Sequence, residues 1–194
     1  MGLKECVYSV LVVSSSDKFN DDIATLLPEL KYSPVRMVSS VHAAQQAFAE
    51  RTFDFVIINS PLPDDVGMHF AVDVGASTGT VVLFLVRSEL YEEVSDRMTK
   101  QGIFTLSKPT SKMMIVTAFN WMASVRERLK RFEKKAVSIE DKMEEIRLIN
   151  RAKWLLISEL SMSEPDAHRY IEKQAMDRGA TRRQIAEGII KIYS

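Results

Sequence analysis

The chain has 194 residues, of which 46% are hydrophobic, and its 26 basic and 26 acidic side chains give a formal net charge of zero. This length allows one or two domains with a buried core, and the zero net charge excludes a nucleic-acid signature spread over the whole chain. The single cysteine, Cys6, excludes an intrachain disulfide and a cysteine-based metal cluster. The start is too short and polar for a signal peptide, and no apolar run reaches membrane-spanning length. We therefore expect a cytoplasmic protein with no membrane partner.

The first 110 residues alternate short β-branched apolar runs with amphipathic stretches. Continuous apolar runs are typical of strands buried on both faces of a parallel sheet, and a regular alternation of strand and helix indicates a doubly wound α/β fold. The predicted strands are residues 7–13, 35–38, 55–58, 81–86 and 103–106.

The helices between these strands are predicted with unequal clarity. The first places four leucine or isoleucine side chains on one face, and Ser40 is the predicted N-cap of the second. The crossover at residues 67–79 has the weakest pattern, so we expect it to be partly irregular. The apolar face of the first helix is formed by Ile23, Leu26, Leu27 and Leu30.

Polar residues follow three of the predicted strands. Ser14 and Ser15 follow the first, Asn59 follows the third, and Lys108-Pro109 follows the fifth. The loop after the third strand then reads Pro-Leu-Pro-Asp-Asp-Val-Gly. This arrangement resembles the receiver domains of response regulators, which have a flavodoxin-like, CheY-like fold. The resemblance implies an acceptor aspartate at position 59, two Mg²⁺-binding acids at positions 14 and 15, and the lysine at 108.

The sequence keeps the receiver pattern but not its reactive groups. The amide of Asn59 cannot replace a carboxylate oxygen as phosphoryl acceptor. The hydroxyls of Ser14 and Ser15 lack the anionic oxygens that Mg²⁺ needs. We therefore interpret residues 1–110 as a pseudo-receiver with a degenerate phosphorylation site formed by Ser14, Ser15, Asn59 and Lys108.

From residue 111 the apolar residues are spaced alternately three and four apart, and neither Pro nor Gly interrupts the pattern before Pro165. This spacing predicts that the last receiver helix runs into a parallel, dimeric coiled coil over residues 111–150. The alternative is one long helix packed against its own domain. The heptad ends at Asn150, and a polar residue at this position commonly fixes register in a two-stranded coil. The predicted dimerisation positions are Met122, Val125, Leu129, Phe132, Ala136, Ile139, Met143, Ile146 and Asn150.

The remaining tail predicts three short helices that form a small all-α bundle. The first ends near Leu160, and the second begins after Ser163, an N-cap followed by a first-turn proline. Gly179 is the predicted stop of the second helix. The third begins at Thr181, which opens a capping box, and runs to about residue 193.

Three segments of this tail resemble the ANTAR module, the three-helix RNA-binding domain of transcription antiterminators, over residues 147–194. They read Asn-Arg-Ala-Lys-Trp-Leu-Leu-Ile from residue 150, Ser-Glu-Pro-Asp-Ala from residue 163 and Thr-Arg-Arg-Gln-Ile-Ala-Glu from residue 181. The family usually has glycine where this chain has Trp154. The resemblance implies RNA hairpins in an mRNA leader as the partner. The order of receiver, coiled coil and ANTAR module resembles the amidase-type regulators, whose receiver also lacks the phosphorylation site.

Charge supports this interpretation locally, because residues 147–194 contain nine basic and six acidic side chains. RNA loops are read by stacking and base-edge contacts, which favour arginine and aromatic residues. Each cation has the alternative role of a solvated surface residue, and Lys153 could pair with an acid in its own bundle. For Trp154 we favour packing in the core or dimer over base stacking, and Tyr170 and Tyr193 are predicted core residues. The candidate RNA-binding residues are Arg151, Lys153, Trp154, Arg169, Arg178, Arg182 and Arg183.

The sequence shows no constellation typical of an enzyme. Its three histidines are scattered, so we expect no metal site, and we expect no catalytic residue and no cofactor. We interpret the protein as a dimeric RNA-binding antitermination regulator that disfavours a terminator hairpin. A DNA-binding response regulator with a C-terminal helix-turn-helix and a non-enzymatic interaction adaptor are the alternatives. A regulatory protein that binds the pseudo-receiver is a further candidate partner.

Overall fold

The computed structural model describes residues 6–77 and 79–193. The chain divides into two compact units, one ending at Glu133 and the other beginning at Lys134. A single helix, α5 (Lys112–Leu160), contributes residues to both units.

The first unit contains a parallel five-stranded sheet with the order β2-β1-β3-β4-β5. This topology confirms the predicted flavodoxin-like, doubly wound α/β fold. The strands are β1 (Tyr8–Val13), β2 (Tyr32–Val38), β3 (Phe55–Asn59), β4 (Val81–Arg87) and β5 (Phe104–Lys108). The helices are α1 (Asp17–Leu26), α2 (Val41–Glu50), α3 (Met68–Ala76), α4 (Tyr91–Lys100) and the first part of α5, with a 3₁₀ turn at Ser88–Leu90.

Two boundaries in this unit differ by three residues or more from the sequence-based prediction. Strand β2 begins at Tyr32, three residues before the predicted start; Ser33 and Pro34 hid its beginning, and an edge strand tolerates proline. Helix α1 begins after Ser16, whose hydroxyl accepts a hydrogen bond from the Phe19 N–H, and it ends at Leu26. Leu30 therefore lies outside α1 and is 82% exposed, so its assignment to the helix face was wrong.

The crossover predicted to be partly irregular contains a regular helix, α3, over nine of its residues, followed by a bend at Ser77 and a turn at Gly79. Its helical pattern is weak partly because Gly75 lies near its end. A Cβ atom at Gly75 would lie 3.3 Å from Ile103 Cγ1. The glycine thus lowers helix propensity while it permits close packing against the residue that precedes β5.

Alternate residues of the sheet form two cores. Leu11, Val13, Val56, Ile58 and Phe84 face helices α2, α3 and α4. The opposite face, which includes Val10, Val12, Phe55, Ile57 and Leu83, packs against α1 and the first turns of α5. Continuous apolar strands are required because both faces are covered.

The second core corrects the predicted dimerisation surface. Met122 is 0% exposed and belongs to this core together with Ile115 and Phe119. Val125 and Leu129 are partly buried against the same core. The start of the heptad pattern therefore encodes packing of α5 on its own sheet, and Met122 was wrongly assigned to the dimer seam.

An ion-pair cluster fixes α5 to the edge of the sheet where β3 begins; we call it the Asp54 cluster. The Asp54 carboxylate accepts hydrogen bonds from the Ser9 N–H at 2.9 Å and from Arg126 Nε at 2.7 Å. Arg126 Nη1 also lies 3.1 Å from Glu133 Oε1, and Lys130 Nζ lies 3.7 Å from Asp54. Burial by itself would raise the pKa of Asp54, but the Ser9 N–H and the two cations lower the pKa below its ordinary value.

Gly79 makes room for this cluster. It has a φ of 93°, and a Cβ atom built on it would lie 2.4 Å from Glu133 Oε1 and 3.0 Å from Arg126 Nη1. The backbone conformation therefore favours glycine, and any larger residue would also displace the ends of these two side chains.

The second unit is a three-helix arrangement of the end of α5, α6 (Glu164–Arg178) and α7 (Arg182–Tyr193). Its core contains one small and one branched residue from each of the first two helices and three residues from α7. The members are Ala152, Leu156, Ala167, Ile171, Ile185, Ala186 and Ile189. Tyr170 is 37% exposed and Tyr193 36% exposed, so their assignment to the core was wrong.

The predicted capping signals of this unit are confirmed. The Ser163 hydroxyl accepts from the Asp166 N–H, and Gly179 ends α6 with a φ of 59°. Thr181 and Gln184 form the predicted capping box, with the Thr181 N–H donating to Gln184 Oε1 at 2.9 Å and the Gln184 N–H donating to Thr181 Oγ1 at 3.2 Å. Along the described stretches of the chain, no helix is long and apolar enough to cross a bilayer.

The substitution Asp54→Asn tests the contribution of the Asp54 cluster to stability. It keeps an oxygen acceptor but removes the charge between Arg126 and Lys130, so we expect the free energy of unfolding at pH 7 to fall by about 1–3 kcal/mol. Because the folded-state pKa of Asp54 is lowered, this stability is present above its unfolded pKa and is lost as pH falls through the lowered value.

Urea unfolding at pH 7 and at lower pH values measures this difference. The difference in the free energy of unfolding between parent and variant should disappear as the pH falls below 3.8, the ordinary pKa of an aspartate. Asp73→Asn is the matched control, since Asp73 is an exposed carboxylate on α3. If Asp54→Asn and Asp73→Asn lowered the free energy of unfolding equally, the stabilising role of the Asp54 cluster would be contradicted.

Candidate functional site

The carboxyl ends of β1, β3 and β5 bring three of the predicted pocket residues together. Asn59, at the end of β3, is 7% exposed, and its Nδ2 donates to Ser14 Oγ at 2.9 Å. Lys108 Nζ, at the end of β5, donates to Asn59 Oδ1 at 2.7 Å and to the Ser60 carbonyl oxygen. Parallel strands place their carboxyl ends at one edge of the sheet. Residues separated by 45 or 49 positions in sequence therefore form one hydrogen-bonded set.

In this set both polar side-chain atoms of Asn59 are hydrogen-bonded to other residues. Both amide ends of Asn59 are engaged, and Ser14 Oγ additionally accepts from the Ser16 N–H at 3.2 Å. Ser15 is exposed and lines a neighbouring cavity instead. Burial and the nearby charge of Arg87 lower the pKa of Lys108. The pocket thus combines neutral oxygens and nitrogens with cations.

The two acids of the following loop are used structurally. The Asp64 carboxylate accepts from the Val41 and His42 N–H groups at 2.9 and 3.0 Å, and these bonds lower the pKa of Asp64. Asp65 Oδ1 accepts from the Gly67 N–H at 2.6 Å. Within residues 6–77 and 79–193, no group of three His, Cys, Asp or Glu side chains is placed to hold a metal ion.

Sequence reasoning missed Arg87 at this edge. It ends β4, is exposed, and lines the same cavity as Asn59 and Lys108. A single basic residue at a strand end has no periodicity to reveal it. The only available signal was its place directly after the fourth apolar run, because strand ends at this edge of a doubly wound sheet line ligand sites.

In the second unit, Trp154 is the main departure from expectation. Its side chain is on α5 and 71% exposed, so the expectation that it packs in the core of its own bundle was wrong. Arg151 is also exposed and lies one helical turn before Trp154. The tryptophan therefore presents a large aromatic surface beside a cation.

Several of the candidate RNA-binding cations have carboxylate partners. Lys153 Nζ lies 2.7 Å from Glu164 Oε1, which is the alternative role considered for this lysine, and Lys153 is only 17% exposed. Arg183 lies between two acids, 3.0 Å from Glu187 and 3.3 Å from Glu144. The remaining pairs are Arg169 with Asp166 at 3.2 Å and Arg182 with Glu172 at 3.8 Å.

Arg178 lies in the last turn of α6 and is exposed. Basic residues near a helix C-terminus interact favourably with the helix dipole. Arg178 therefore has a local structural role as well as being accessible to a ligand.

The later heptad positions of α5 form an exposed stripe. Phe132 and Met143 are each 53% exposed, and Ile139 and Ile146 are each 58% exposed. Ala136 and Asn150 at the intervening positions are exposed as well. Large apolar side chains at heptad spacing on a single chain are typical of a surface that another helix covers.

Both units match known proteins. Residues 138–190 match the ANTAR domain family. The receiver domain of an HD domain-containing protein from Pseudomonas fluorescens Pf-5 has 19% identity and a TM-score of 0.57, covering 69% of this chain and 96% of that domain. A response regulator receiver domain protein from Clostridium thermocellum has 20% identity and a TM-score of 0.55, covering 62% of this chain and 98% of that one.

A receiver-like fold followed by a segment that matches the ANTAR domain family is the organisation of an ANTAR response regulator, and this chain is similar to that class. Among curated proteins, the chain is similar to the transcriptional regulatory protein PdtaR of Mycobacterium tuberculosis. The two are 24% identical over 182 residues, which span 94% of this chain and 89% of PdtaR.

Proposed function

We propose that the protein is an RNA-binding antitermination regulator that acts as a dimer. Its ANTAR domain binds hairpins in a nascent leader transcript and disfavours the terminator. The ANTAR match at residues 138–190 carries this proposal. The protein supplies differential affinity for one RNA fold and no catalysis.

The most accessible RNA-binding surface is the exposed face of α5 around Trp154. An exposed indole can stack on an unpaired base, and stacking of this kind favours single-stranded loops over duplex. Arg151, one turn earlier, adds a guanidinium that can bind phosphate or a base edge. Arg183 and Lys153 each lie within 3.3 Å of a carboxylate, so an RNA phosphate would compete with that acid for them.

The exposed stripe on α5 supports a parallel dimer. In a parallel pair, Ile139, Met143 and Ile146 of one chain face the same residues of the second copy, which buries apolar surface that is open in the single chain. Lys135 and Glu140 flank this seam at positions that can pair across it. Asn150 at the end of the seam fixes the register.

Conventional phosphorylation does not control this receiver. Asn59 presents an amide where a phosphoryl acceptor needs a carboxylate, and its oxygen is bound by Lys108. Ser14 and Ser15 offer hydroxyls where Mg²⁺ needs anionic oxygens. The domain is therefore a pseudo-receiver, controlled by a ligand or a regulatory protein.

Trp154→Ala tests the RNA surface. Loss of a base-stacking contact should weaken binding to a cognate hairpin by about 1–3 kcal/mol with an unchanged salt dependence. Arg151→Gln should instead flatten the plot of log affinity against log salt by about 0.7–0.9 if it binds one phosphate. Fluorescence anisotropy over a salt series measures both effects.

Trp121→Ala is the matched control, since Trp121 is a half-exposed tryptophan on α5 outside the ANTAR match. It should leave RNA affinity unchanged. The double variant Arg182→Ala, Arg183→Ala serves as a comparison for the third helix. A larger loss in that variant than in Trp154→Ala would move the RNA surface to the start of α7.

The pair Ile139→Lys, Met143→Lys tests the dimer. It places four like charges in the seam, and each buried, unpaired charge costs several kcal/mol, so sedimentation velocity should show a monomer. Val137→Lys is the matched control, because Val137 is 57% exposed on the same helix but lies off the heptad seam. A dimer that resisted the double variant, or dissociated equally in the control, would contradict the coiled-coil assignment.

Acetyl phosphate with Mg²⁺ should leave the protein unmodified, because no acceptor carboxylate stands at position 59. Intact-mass spectrometry before and after acid treatment measures this outcome, with a receiver that has an intact aspartate as the positive control. An acid-labile phosphoryl adduct on a residue of the first unit would refute the pseudo-receiver assignment.

A further inference from the structure

A cavity of about 550 Å³ lies beside Asn59 at the carboxyl edge of the sheet. One wall is apolar and is formed by Phe19, Ile23 and Leu26 of α1 with Leu85 of β4 and Ile115 of α5. This volume is in the range of about 300–1,000 Å³ that small-molecule sites occupy, and such sites are lined by apolar side chains with few polar groups.

The cavity is also lined by cations. Arg87 and Lys108 lie near enough for the charge of Arg87 to lower the pKa of Lys108. Lys18 and Lys112 also line the cavity. Asp22 is the one carboxylate among its described lining residues, and Lys112 binds it at 2.8 Å. The cavity therefore holds an excess of positive charge.

An excess of like charges in one cavity favours an anion between them. Lys108 is anchored, since it donates to Asn59 and to the Ser60 carbonyl. Arg87 is exposed and lines the cavity, and its guanidinium can bind a carboxylate or phosphate in a bidentate manner. The apolar wall adds affinity for a hydrocarbon or aromatic body.

We propose that this cavity is a binding site for a small organic anion with a carboxylate or phosphate head and a short apolar body. The head lies between Arg87 and Lys108, and the body packs against Phe19 and Leu26. The ligand contacts α5 through Ile115, so the site serves as the input of the pseudo-receiver. It uses the edge of the sheet where a phosphorylatable receiver would carry its phosphoryl group.

Isothermal titration calorimetry of the full chain at low salt, without RNA, tests the proposal. Phenyl phosphate and phenylacetate share the aromatic body, and the tighter binder identifies the head group. Inorganic phosphate lacks the body, and benzyl alcohol lacks the charge. We expect the better aromatic anion to bind at least about tenfold more tightly than either, since both the charged contacts and the apolar burial are required. Binding by neither aromatic anion, or equal binding of inorganic phosphate, would overturn the proposal.

Arg87→Gln should lower the affinity for the aromatic anion that binds more tightly by at least about tenfold, as expected when a charged hydrogen bond is lost. Lys100→Gln is the matched control, since Lys100 is exposed at the end of α4 and does not line the cavity. Lys18→Gln gives a second test should Arg87→Gln unfold, and it should also weaken binding. Unchanged affinity in a folded Arg87→Gln variant would overturn the site. These measurements are independent of RNA binding, so the two proposals fail separately.

Discussion

The attachment of α5 to the sheet determines which of its apolar residues are available to other molecules. The Asp54 cluster fixes this attachment at the edge where β3 begins, with Arg126 Nε 2.7 Å from Asp54 and Glu133 bound to the same guanidinium. Up to Leu129 the heptad residues pack on their own domain, and from Phe132 they are exposed. The same heptad pattern in α5 therefore serves first for packing on the sheet and then for an exposed stripe. The Asp54 cluster lies where the first part ends and the second begins.

Ser14, Asn59 and Lys108 form a hydrogen-bonded set at the carboxyl edge of the sheet. Lys108, which would otherwise be a half-buried cation without a partner, bonds to the Asn59 oxygen and the Ser60 carbonyl. Ser14 accepts from the Asn59 amide, so the three side chains satisfy one another. This mutual satisfaction stabilises the pocket, because a buried polar group without a partner is costly. The exposed Arg87 is the cation that this network does not include.

The sequence predicted the sheet well because buried parallel strands are continuous apolar runs, and it predicted α6 and α7 because Ser163, Gly179 and Thr181 are unambiguous capping residues. It failed where position in space matters more than pattern. Arg126 and Asp54 are 72 residues apart, so no local signal joins them. The heptad pattern could not show that Met122 faces its own sheet, since an intramolecular seam and a dimer seam share one periodicity. For Trp154, a large apolar residue suggested burial although the helix presents it outward.

Gly79 leaves the space in which the charged side chains of α5 approach the sheet edge. Its missing side chain is the space into which Arg126 and Glu133 fit, and the added atom of even an alanine would overlap the Glu133 carboxylate at 2.4 Å. An alanine at this position would displace the carboxylate of Glu133 and the guanidinium of Arg126, which are the ends of flexible side chains, while Ile115, Phe119 and Met122 would still pack the helix on the sheet. The glycine therefore sets the alignment of the ion pairs just beyond the last buried turn of the helix, whereas the apolar core sets the attachment itself.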